Sequence, residues 1–116
     1  MLKLYEVSHY LILEAKACYR LARAEELLRE RLAQDQDHKE HTLIIDIRYS
    51  DTSPRMDELE AWGRYLMSIN ERFSCGIYIT GDDLRFGLSN VVIANSGADE
   101  KLRRVKVGEA AESNPL

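Results

Sequence analysis

"TLIIDIRYSDTSPRMDELEAW", residues 42–62, changes its hydrophobic period halfway along. Leu43, Ile44 and Ile45 form a consecutive apolar run, the pattern of a strand covered on both faces and central in a parallel or mixed sheet. The chain then alternates to Ser50 and enters the polar loop "DTSP". It restarts with helical spacing at Leu59, Trp62, Leu66, Ile69 and Phe73. Ser53 followed by Pro54 has the chemistry of a helix start: a hydroxyl for free N–H groups, then a proline in the first turn. The stretch therefore reads as strand, turn and helix, with the helix beginning near Ser53.

On the amino-terminal side, "LKLYEV" (2–7) and "YLILEA" (10–15) alternate loosely around Ser8 and His9 and predict a short hairpin. One long helix from about Tyr10 is the rival reading, because no Gly, Pro or clear cap follows Ala15. A helix is expected from about Tyr19 to Gln34. Leu21, Ala24, Leu28 and Leu32 form its stripe, and Glu25 and Arg29 stand four apart on its polar face. "DQDHKEH" is a polar connection. On the carboxyl side, "GIYIT" (76–80) reads as a strand. "GDD" (81–83) turns the chain and caps a helix carrying Leu84, Leu88 and Val91, which stops at Ser96–Gly97. "LRRVKV" (102–107) closes the chain as a basic edge strand. The order β-β-α-β-α-β-α-β defines an α/β fold, a mixed sheet of about five strands with three to four helices joined by right-handed crossovers.

A chain of 116 residues supports one core, here residues 1–108, with 109–116 as a short tail. Its net charge of -4, with both signs interspersed, argues against a nucleic-acid surface. Cys18 and Cys75 make neither a metal pair nor a disulfide framework. Free thiols without a signal-peptide pattern point to a reducing, cytoplasmic setting. No apolar stretch approaches the ~20 residues that span a bilayer.

Crossover topology brings the carboxyl ends of parallel strands and the amino ends of the following helices to one edge, where ligands of open α/β sheets bind. That edge collects Tyr49, Ser50, Asp51, Thr52 and Ser53 from one junction, and Asp82, Asp83 and Arg85 from the next. Helix amino ends attract anions, but Ser53 and Asp82 or Asp83 are first of all caps. Asp46, Asp51, Asp82 and Asp83 resemble a carboxylate cluster. No nucleophile, base and oxyanion donor can be named together with them, so no catalytic residue, cofactor or enzymatic activity is expected. His38 and His41 lack a third metal ligand at a fixed spacing, so no metal site is expected.

The element order resembles the STAS domain, the fold of bacterial anti-sigma-factor antagonists, and more closely the STAS-like (SpoIIAA-like) proteins. The resemblance is carried by "LIIDIRYSDTSPRMDELEAW" (43–62), "SCGIYITGDDLRFGL" (74–88) and the return strand near Val105. It implies a regulatory or protein-interaction module without catalysis, switched by phosphorylation of a Ser or Thr at a helix start. Thr52 and Ser53 fall at that acceptor position, with Pro54 in place of the family's glycine. Only "GEAAESNPL" follows Val107, so the last family helix is short or absent, which favours an exposed apolar patch and a homodimer. A related group with this plan carries lipids, which makes a small apolar-ligand carrier the alternative.

Overall fold

A computed structural model describes residues 1–34, 41–96 and 102–106, the segment from residue 95 onward by its backbone alone. The expected histidine-bearing connection around His38, the helix stop at Gly97 and the tail 109–116 lie outside the described residues. Among the described residues the elements run β1 (Leu2–Val7), β2 (Tyr10–Ala17), α1 (Leu21–Gln34), β3 (Thr42–Ser50), α2 (Met56–Ile69), a 3-10 turn (Asn70–Arg72), β4 (Cys75–Thr80), α3 (Asp83–Ser96) and β5 (Leu102–Lys106). The class is α/β, with a mixed sheet and three helices. Residues 10–17 are strand rather than helix, and the hairpin turns through Ser8 at a φ of 54°.

The strands lie side by side in chain order, β1 to β5. β1 is antiparallel to β2, and every later pair is parallel. Sequential parallel strands joined by crossovers of one hand lay all their helices on one face. Burial shows this directly. Leu11, Leu13 and Ala15 of β2, Leu43, Ile45 and Ile47 of β3, and Tyr78 of β4 join a single core with the apolar sides of all three helices. The alternate residues Ile12, Ile44 and Ile77 pair in register across the other face and are only half-buried. The apolar run at 43–45 therefore does not mark a strand covered twice; among the described residues no helix covers Ile44. Nor does the strand order reverse along the parallel part, so among the described residues no switch-point crevice forms.

The helix stripes of α1 and α2 fall where their spacing placed them. Leu21, Ala24, Leu28 and Leu32 are buried in α1, and Leu59, Trp62, Leu66 and Ile69 in α2, followed by Phe73 beyond the helix. Trp62 donates its indole N–H to the Tyr78 hydroxyl at 2.9 Å, so both polar atoms are satisfied inside the core. α3 departs from its predicted stripe. Ser89, Val92 and Ile93 are buried, Leu88 and Val91 lie at the rim of the core, and Leu84 is 57% exposed. The Ser89 hydroxyl donates to the Phe86 carbonyl at 2.6 Å, which lets a serine face the core.

Candidate functional site: the carboxyl rim of the sheet

β2, β3 and β4 end, and α1, α2 and α3 begin, along one rim. The path of β3 into it is set by a bulge. Glu14 pairs with Asp46 but Lys16 pairs with Tyr49, so β3 spends one residue more than β2. Asp46, 5% exposed, holds this irregularity. Its carboxylate accepts the Arg48 backbone N–H at 3.1 Å and the Arg48 guanidinium at 3.0 and 2.8 Å. The extra residue reverses which face each later side chain meets. Tyr49 becomes 63% exposed, with the Arg48 guanidinium 5.2 Å from its ring, while Ser50 turns inward and is buried. Asp46 is thus engaged structurally and stands apart from the rim carboxylates.

Beyond β3 the chain is fastened sideways to the β2–α1 connection. The Thr52 hydroxyl accepts the Tyr19 N–H at 2.9 Å and lies 3.4 Å from the Ala17 carbonyl, to which it donates. The Asp51 N–H also reaches that carbonyl, at 3.1 Å. Ser50 accepts the Thr52 N–H at 3.1 Å. Two of these bonds end on Ala17, whose φ of 53° is left-handed and costs a non-glycine residue about 1–2 kcal/mol. The N-terminal amino group of Met1 bonds the Lys16 and Cys18 carbonyls beside it.

The second junction joins the first through Arg85. Its side chain is 13% exposed, donating from Nη1 to Asp82 at 2.8 Å and from Nε to the Thr52 carbonyl at 3.2 Å. Asp82 caps α3, accepting the Arg85 backbone N–H at 2.8 Å, and that bond holds its carboxyl below the ordinary range. Asp83, the first residue of α3, is exposed. Gly81 runs so close to β3 that a Cβ there would stand 2.6 Å from the Arg48 carbonyl oxygen.

The start of α2 differs from its expected form. The helix begins at Met56, with extended Arg55 as its cap residue and the Arg55 N–H bonded to the Glu58 carboxylate at 2.9 Å. Ser53 precedes this by three residues and is exposed. It caps nothing that is described. Met56 and Leu84, at the starts of α2 and α3, are both more than half exposed, as Tyr49 is. Sequence reading passed over Met56 and put Leu84 on the apolar stripe of α3; a large apolar residue in the first turn beside a capping acid is the signal that marks them.

The titratable groups here are shifted away from reactivity. A hydrogen bond to Asp51, 3.4 Å away, and that residue's charge hold the Cys18 thiol above its ordinary range. Burial pushes the Tyr19 hydroxyl up to about 12, against the opposing pull of Arg85. Among the described residues no three His, Cys, Asp or Glu side chains are grouped to hold a metal ion, and no helix is long and apolar enough to cross a membrane.

Comparison with protein-family models, curated proteins and solved structures finds no match to the chain. The fold and rim define it on their own terms: an α/β sheet clad by helices on one face, with two strand–helix junctions bonded into one surface.

Proposed function

We propose that the chain is a cytoplasmic, non-enzymatic protein-docking module whose partner-facing surface is the carboxyl rim. One observation carries this reading: the Arg85–Thr52 bond joins the two junction loops into a single surface, with Tyr49, Met56 and Leu84 exposed around it. Large apolar side chains set among polar neighbours are what protein partners bury. The STAS-like assignment belongs to the same proposal, supported by the order of elements. Within it Ser53 is the better phosphate acceptor, because it is exposed while the Thr52 hydroxyl is half-buried and bonded. A phosphate there would bring about two negative charges beside Asp51 and Asp57 and reverse the docking preference of the rim.

Self-association would use a different surface, the helix-free face carrying Ile12, Ile44 and Ile77. The apolar-carrier reading gains nothing from the interior, where cavities of about 20 and 10 Å³ admit a single water at most. Affinity capture with the native chain, with Tyr49→Ser/Leu84→Ser and with Ser53→Asp tests the docking proposal. A partner retained by the native chain and lost by the double variant supports it; identical partner sets for all three contradict it.

A further inference from the structure

A further opening lies between the first turns of α1 and α2. α2 packs closely on α3 but stands apart from α1, and the gap is an open groove of about 300 Å³. Leu21 and Trp62 lie at its base, and Ala22 and Ala61 keep it wide by having little side chain. Its remaining lining is Glu25, Glu26 and Glu58, with no basic residue among the groups that face it. The arginines that meet these glutamates, Arg29, Arg23 and Arg55, are 62%, 52% and 76% exposed. Exposed pairs of this kind contribute about 1 kcal/mol or less, so Glu25 and Glu26 are readily re-partnered, while Glu58 also keeps its bond to the Arg55 N–H.

We propose that this groove is a docking site for a cationic, partly apolar peptide segment of another protein. Its volume reaches the lower end of the range for ligand sites, but it is too open to enclose the 70–90% of surface that a free small molecule requires. A side chain projected from a larger partner needs no such enclosure. An apolar residue would enter between Ala22 and Ala61, over Trp62, while flanking Lys or Arg residues meet the glutamates. This is the helix-groove mode with an acidic border. The groove adjoins the rim where α1 and α2 begin but includes none of Tyr49, Met56 and Leu84, so it stands whether or not that surface docks a protein.

The test uses the full chain and two synthetic amphipathic helical peptides with the same leucine pattern, one with lysines on its polar face and one with glutamates. Trp62, the single tryptophan, reports binding by fluorescence; amide NMR locates it. The lysine peptide is expected to bind with shifts centred on Ala22, Glu25, Ala61 and Trp62, and to weaken several-fold between about 50 and 300 mM salt. The Glu25→Gln/Glu26→Gln/Glu58→Gln variant should bind it at least about tenfold less tightly, a loss of about 1.4 kcal/mol. Ala61→Phe, which fills the groove, should abolish binding while native amide dispersion is kept. Equal binding of the two peptides, shifts centred on Tyr49, Met56 and Leu84 or on the open sheet face, or no binding of the lysine peptide would each overturn the proposal.

Discussion

The two ends of the sheet are fastened by different means. At the amino rim the ties run largely through backbone. Thr42 N–H bonds the His9 carbonyl at 2.8 Å, and Ser74 reaches the His41 carbonyl through its N–H at 3.0 Å, its hydroxyl adding a bond of 2.9 Å. At the carboxyl rim one backbone bond, from the Asp51 N–H to the Ala17 carbonyl, is joined by ties through the side chains of Thr52, Arg85 and Asp82. Both rims expose apolar groups, Val7, Tyr10 and Met67 at one and Tyr49, Met56 and Leu84 at the other. The amino rim adds side-chain bonds from Ser74 to His41, Thr42 to Cys75 and His41 to Glu6, whereas at the carboxyl rim Arg85 links two junction loops through its side chain. Surfaces held by side chains are the ones evolution and regulation can adjust without disturbing the strands.

The largest expected effect breaks the carboxyl rim sterically. Gly81→Ala places a methyl 2.6 Å from the Arg48 carbonyl oxygen and should cost about 1–3 kcal/mol in denaturant unfolding. Gly87→Ala, at an exposed α3 position with nothing within 4 Å, should instead raise stability by about 0.5–1 kcal/mol. Next in size is Thr52→Val, which leaves the Tyr19 N–H without its acceptor and should cost about 1–2 kcal/mol. Its amino-rim counterpart Ser74→Ala keeps the backbone bond to His41 and should cost about 0.5–1 kcal/mol, so equal losses would erase the contrast between the rims.

The smallest effect is pH-dependent. Asp82 has a carboxyl pKa depressed in the folded chain, so its contribution is complete above the ordinary carboxylate value near 3.8 and is lost as pH falls through the lower native value. Its side chain is 47% exposed, which keeps the change small. Asp82→Asn, which retains a capping oxygen, should flatten that acid limb of the stability curve.

How much of this was legible depended on whether the cause was local. The α1 and α2 stripes were readable because leucines at gaps of three and four permit one buried side. α3 carries Leu84, Phe86, Leu88, Val91, Val92 and Ile93 almost all round, so its buried side was decided by how Asp82 caps the helix and Arg85 reaches Thr52. The start of α2 was misplaced because Glu58, already visible in the sequence, provides the carboxylate that fixes Arg55, and Ser53 is left outside. The covering of Ile44 was misjudged because an apolar run cannot distinguish a second layer from a bare face. The bulge that exposes Tyr49 and buries Ser50 depends on the register between β2 and β3, and the Thr52–Arg85 bond joins residues 33 apart. Neither is written in any short stretch of sequence.

The central claim is that the junctions after β3 and β4 behave as one surface. Amide NMR of Arg85→Ala tests it most directly. Coupled loops predict chemical-shift changes at Tyr19, Thr52 and Ser53 as well as within α3, with His41 and Ser74 unmoved. Changes confined to residues 82–89 would contradict the account.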